Sequence, residues 1–315
     1  MMALPRLTEL LAAQAHNDIA ADDADVQTLL SLIIDRHGNA VRAVLLYGSY
    51  LRGTRGTLLD FYVLVDDYAG ALPAWWQRLG NRLLPPNVYY LQQRHADGRA
   101  INAKYAVVSV PHFEHLLAND FHSYFWARFT QPCALIWTAD STLQGRVAHA
   151  RASAVASFAR RVLPLFEGSA PFSAAELWRR GLNLTYGCEL RSEGAGKGTT
   201  LVDAEPEYWQ QLTSALAQDT QWLSAAADGR WFATLETSSE ATLWGWRVRR
   251  WQGKLLSVLR LIKGALTFND PLDYVLWKIE RHSGVHVEPT PLQRRWPLLF
   301  AWPLLWRVYR RGGFR

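Results

Sequence analysis

Residues 41–65 read VRAVLLYGSYLRGTRGTLLDFYVLV. Two apolar runs, Val41 to Tyr47 and Leu58 to Val65, have the length and β-branched content of buried strands. Gly48-Ser49 turns the first strand. The loop that follows, with Arg52, Gly53, Thr54, Arg55 and Gly56, is rich in glycine and basic side chains. One charge, Asp60, stands inside the second strand. A glycine turn brings backbone N–H groups and the Ser49 hydroxyl up to phosphate oxygens. A carboxylate held on the next strand can meet Mg²⁺ that bridges it to a triphosphate. This is the arrangement of a nucleotidyltransferase; the plainer alternative is a hairpin turn with an edge-strand aspartate.

Nucleotidyltransferases commonly carry a second carboxylate at i+2, on the same strand face. Here that position is Tyr62. Asp66 has the right parity, but six residues of strand place it about 20 Å away. Either a distant acid completes the metal site or the domain has lost activity.

Around this segment, helices are expected over 4–15, 25–37, 72–84, 112–129, 143–165, 173–191, 206–227 and 247–266, and from Pro271 to about His282. Further strands are expected near 88–91, 104–110 and 132–137. The strand signal fades after about 142. The expected class is therefore α+β: a nucleotidyltransferase-fold mixed sheet domain (1–150), a mainly helical substrate domain (151–290) and a basic amphipathic C-terminal tail (291–315).

The glycine-rich stretch Gly194 to Thr200 is not a P-loop, because Arg191 stands where the first glycine is needed and Gly198 follows Lys197. Cys133 and Cys188 fit no zinc or redox spacing, and His112 and His115 lack further ligands nearby in sequence.

The net charge of +6 is unevenly spread. Residues 231–315 carry 14 Lys plus Arg against 6 Asp plus Glu, leaving 20 against 22 for residues 1–230. Such asymmetry points to an anionic partner. The tail reads PLQRRWPLLFAWPLLWRVYRRGGFR, with six arginines around the apolar run Trp296 to Trp306. Eleven residues cannot span a bilayer, but they can lie in its interface on anionic lipid. Packing into the protein's own core or a dimer interface is the alternative. Arg247, Arg249, Arg250, Lys254, Arg260 and Lys263 form a second cluster among tryptophans, which could hold a head group near Asp60. The N-terminus shows no signal-peptide or transit-peptide pattern. The expected location is cytoplasmic, peripherally associated with the inner membrane.

Several blocks together resemble the mitochondrial translocator-maintenance type of phosphatidate cytidylyltransferase and its bacterial relatives. They are Tyr47-Gly48-Ser49, Leu58-Leu59-Asp60-Phe61, Asp66-Asp67, Lys104-Tyr105, Arg128 with Pro132, Thr185-Tyr186 with Glu189 and Arg191, Lys197, and Thr267 to His282. Their shared order over roughly 40–284 carries the resemblance. That family also lacks the i+2 acid. Departures are Tyr50 in place of a glycine, the absence of histidines around Trp75-Trp76 and Tyr89-Tyr90, and Cys188-Glu189 in place of Gly-Asp. The resemblance implies transfer of a cytidylyl group from CTP to phosphatidate, giving CDP-diacylglycerol and pyrophosphate. It implies Mg²⁺ on Asp60, catalytic roles for Asp60, Lys104 and Ser49, and nucleotide contacts from Tyr47, Gly48, Ser49, Arg52, Arg55, Glu189, Arg191 and Lys197. Nucleic acid is disfavoured as a partner. The alternatives are transfer to another phospholipid or RNA, or an inactive relative that binds a membrane or partner.

Overall fold

The computed structural model describes residues 2–16, 22–94, 99–189, 196–235 and 238–267, together with 290, 291 and 306. Among these residues it has a five-stranded mixed sheet, a small hairpin and eleven helices. The finer expectation about the tail lies almost wholly outside the described residues.

Two helices open the chain, α1 (Pro5–Gln14) and α2 (Ala24–His37). Asp23 caps α2, its carboxylate accepting from the Asp25 and Val26 N–H groups. Strand β1 (Val41–Tyr47) pairs antiparallel with β2 (Leu59–Val65). Two helices, α3 (Tyr68–Ala71) and α4 (Trp75–Leu83), then lead to β3 (Asn87–Arg94) and β4 (Ala100–Ser109). Strand β4 lies parallel to β2, as a crossover connection allows. Next come α5 (Val110–Asn119), α6 (Trp126–Phe129) and β5 (Cys133–Thr138), which closes the sheet in the order β3-β4-β2-β1-β5.

The chain continues through α7 (Ser141–Val162), α8 (Ala174–Tyr186), α9 (Lys197–Ala204) and α10 (Pro206–Asp219). A hairpin of β6 (Leu223–Ala225) and β7 (Trp231–Ala233) precedes the long α11 (Ser239–Thr267).

Strand alternation divides the sheet between two cores. Val44, Leu46, Phe61 and Val63 face α2, whose Val26, Leu29, Leu30 and Ile33 complete one cluster. Leu45, Tyr62, Leu64 and Val108 face the other way. Their cluster takes Leu7 and Leu11 from α1, Phe158 from α7, Trp178 from α8, Trp209 from α10 and Trp246 from α11. The expected boundary at 150 falls inside α7, and this one cluster draws on both sides of it. Asp219, at the end of α10, accepts from the backbone N–H groups of Arg6 (3.0 Å) and Leu7 (2.8 Å). Leu4 has no capping side chain of its own, so α1 is capped by a residue more than 200 positions away.

Three helix readings need correction. The span 112–129 is broken between Asn119 and Trp126, because Asp120 turns the chain: its carboxylate accepts from His122 N–H and its carbonyl from the Trp126 indole. The span 206–227 stops at Asp219, and a hairpin follows around Asp228-Gly229, with Gly229 at φ 78°. Helix α8 ends at Tyr186, short of the expected 191. The helix expected from Pro271 lies outside the described residues.

Candidate active site

Strand β1 ends on Tyr47, and Gly48 turns at φ 93°. A Cβ on Gly48 would sit 3.1 Å from Asp60 Oδ2. Only glycine lets the chain pass this close over the carboxylate in that conformation. The loop then folds back on itself: Gly53 N–H donates to Tyr50 O, and Thr54 N–H to Ser49 O. The Ser49 hydroxyl lies 3.4 Å from the Thr57 hydroxyl. Asp60, the second residue of β2, sits opposite Tyr47 on one neighbour and Lys104 on the other. The Lys104 Nζ lies 3.9 Å from Asp60 Oδ1, and both side chains are partly exposed. Turn, carboxylate and ammonium thus meet across three adjacent strands, at the end of β1, the start of β2 and the middle of β4.

The i+2 position explains itself structurally. Tyr62 points from the Asp60 face of β2 into the core, where it packs edge-on against Phe129. Its hydroxyl lies 3.5 Å from Arg128 Nη1, which also donates to the Tyr47 hydroxyl at 3.0 Å. The Arg128 guanidinium stacks on the Tyr124 ring as well, 4.5 Å from its centroid. Burial opposes the Arg128 charge, but Tyr124, Tyr62, Tyr47 and Glu189 outweigh it and hold the guanidinium well above its ordinary range. Burial pushes the Tyr47 phenol up to about 12, keeping it neutral. Burial also raises Tyr124, yet Arg128 and then Arg260 bring its net value below the ordinary one. A tyrosine–arginine network therefore stands where a second acid would.

The second half of the chain reaches this network. The Glu189 carboxylate acts electrostatically on Arg128 and Tyr124. Arg260 of α11 lies over the other approach to Tyr124, 4.0 Å from the ring centroid, and its Nε donates to Pro85 O. Its Nη1 is buried without a hydrogen-bond partner among the described residues. Lys263, one turn on, donates to Leu84 O and Pro86 O. Helix α11 can lie this close because Gly253 has no side chain: a Cβ there would meet Cys188 O at 2.2 Å and His122 Nε2 at 2.6 Å.

The remaining expected contacts separate. Arg52 lies near Glu205 in a cleft of about 660 Å³ that also takes in Cys133 and Tyr208. Arg55 is engaged with Asp23 at 3.6 Å and stacks over Tyr50. Lys197 is half-buried on the first turn of α9, and none of the interactions described for the Asp60 group includes it. Arg191 lies outside the described residues. Asp66 pairs with Arg42 (3.5 Å) at the opposite end of β2, as the strand count requires.

No protein-family model and no curated protein matches the chain.

Sequence reasoning missed Tyr124 as a site residue and named Arg260 only as one of six cations in the basic cluster. The Tyr124–Arg128 spacing of four was a local signal; nothing in the sequence singled Arg260 out from the rest of its cluster. Among the described residues no group of three or more His, Cys, Asp or Glu gathers to hold a metal. One carboxylate still suits Mg²⁺ that arrives with a nucleotide, because that ion keeps waters and takes its other ligands from phosphates.

Proposed function

We propose that the chain is a nucleotidyltransferase that transfers a cytidylyl group from CTP to phosphatidate, with its first 150 residues in the nucleotidyltransferase fold. The observation that carries the reading is the Gly48 turn passing over Asp60, with Lys104 across from it. Gly48 and Ser49 would receive the triphosphate through N–H and O–H donors. Bound Mg²⁺ would neutralise charge developing on the leaving pyrophosphate, with Asp60 as its protein ligand. Lys104 would supply a positive charge to a phosphate oxygen beside Asp60. Arg128 holds the Tyr47 hydroxyl, and so the end of β1, in place.

The acceptor phosphate attacks the α-phosphorus; a new P–O bond forms and the α–β bridge breaks. A phosphate monoester is largely ionised at neutral pH, so no general base is required. Alignment and charge neutralisation carry the reaction. Arg260, with a buried N–H group to spare beside Tyr124, is the residue best suited to the acceptor phosphate.

The test is incubation with Mg²⁺, radiolabelled CTP and phosphatidate in mixed micelles. Label should enter the organic phase, and Asp60→Asn should abolish it. Full turnover in that variant would remove Asp60 from the mechanism. No label with any nucleotide, from a folded protein, would favour the binding-only reading, which the single carboxylate at this site also supports.

A further inference from the structure

Helix α11 wears its apolar stripe on the outside. An amphipathic helix normally turns that stripe to the core. Here Trp246, Arg249 and Gly253 face inward, with Arg260 following on the same side. Trp244, Val248, Trp251, Leu255, Val258 and Ile262 recur at intervals of three and four on the opposite side, and all are exposed. Trp251 is 73% exposed. At 1.5 Å per residue the stripe runs about 27 Å.

Helix α4 repeats the pattern. Its Asn81 is buried against the sheet, while Trp75 (72% exposed), Trp76, Leu79 and Leu83 (75%) face out. The two helices meet where Lys263 crosses Gly80, whose Cβ would lie 3.6 Å from the lysine chain.

We propose that the outer faces of α4 and α11 form a docking surface for an anionic lipid bilayer, on helices whose inner side adjoins the Tyr124–Arg128 network next to Asp60. The surface deepens the lipid-substrate reading, on which its link to the Asp60 group rests. Two observations choose the occupant. Of the cations on α11, Arg247, Arg250 and Lys254 are exposed, against the single acid Glu240, and α4 carries Arg78 and Arg82 with no acid. A second copy, or the equally basic segment 291–315, would set cations against cations. An anionic surface complements them. The exposed aromatics are tryptophans, the side chain that prefers the boundary between headgroup and hydrocarbon. Docking would set the tryptophan stripe at headgroup depth and leave the Arg260 side of α11, about a helix diameter away, facing Tyr124.

Full-length protein is mixed with vesicles of phosphatidylcholine alone, or of phosphatidylcholine with phosphatidylglycerol, and sedimented. Binding is expected only to the anionic set. Trp75→Glu with Trp251→Glu should weaken it at least about tenfold with melting temperature and elution volume unchanged, since both residues are exposed. Leu255→Glu provides an independent second variant. Unchanged partition in these variants would overturn the proposal. So would a loss seen only with Trp296→Glu and Trp302→Glu, which would assign docking to the tail. A dimer that Trp251→Glu splits with no change in vesicle binding would assign the face to a second copy and overturn it equally. Turnover on a short-chain, monomeric phosphatidate separates the two readings. Vesicle binding that depends on Trp75 and Trp251, in a protein that turns over nothing, supports the docking surface and removes the cytidylyltransferase reading.

Discussion

Gly48 and Asp60 are twelve residues apart in sequence, and the chain brings them into contact by spending a glycine. Alanine at Gly48 meets two difficulties together. Its backbone would have to hold φ 93°, and its methyl would press on the Asp60 carboxylate. The conformational part costs about 1–2 kcal/mol. Gly48→Ala is therefore expected to lower thermal stability modestly and turnover by more than tenfold. A melting curve beside an activity assay reads both. Equal turnover in a less stable protein would mean that the turn is architectural only.

At the scale of elements, α11 is held to the sheet through buried bases. Burial first, then the neighbouring Arg260, bring Lys263 down to about 7 from an ordinary 10.5. Burial, then Arg260, take His122 down to about 4. In each case the unfolded chain binds the proton more readily than the folded one. Stability must then rise with pH between the folded and unfolded values. For Lys263 the cost is full below about pH 7 and is relieved on the way to 10.5. For His122 it sets in as pH falls from 6.5 towards 4. Urea melts of wild type and Lys263→Met on both sides of pH 7 test this. The wild type should gain on the variant as pH rises, and parallel profiles would refute the lysine's part.

The same helix shows what a sequence reading can reach. The Gly48–Asp60 pair was legible because it depends on strand period and one turn, both local; Lys104 came only through the resemblance, because its place beside Asp60 needs the parallel β2–β4 pairing. The cations of α11 were legible as a cluster. Their direction was not, because both sides of the helix carry tryptophan and arginine. Only packing against His122 and Cys188 settles that Arg249, 7% exposed, and Gly253 turn in and Trp251 turns out. The β6–β7 hairpin was missed because a continuous polar–apolar run hid the Asp228-Gly229 turn.

For the molecule as a whole, one core joins α1 to α7, α8 and α10, and the Asp219 carboxylate seals the start of α1. Asp219→Ala removes that cap and should cost about 1 kcal/mol. The loss should appear in a single denaturant transition, the same whether followed by tryptophan fluorescence or by circular dichroism. Two separated transitions would show that the sheet and the helical half unfold independently.

The cap also imposes an order on biosynthesis. Helix α1 leaves the ribosome well before α10, because the carboxylate that closes its first turn is some two hundred codons downstream. At 5–20 residues per second, α1 waits about 10–40 s for its partner. Leu7 and Leu11, fully buried in the finished protein, spend that interval without α10 to cover them. The nascent chain therefore carries α1 unfinished until α10 arrives, a natural landing place for a chaperone.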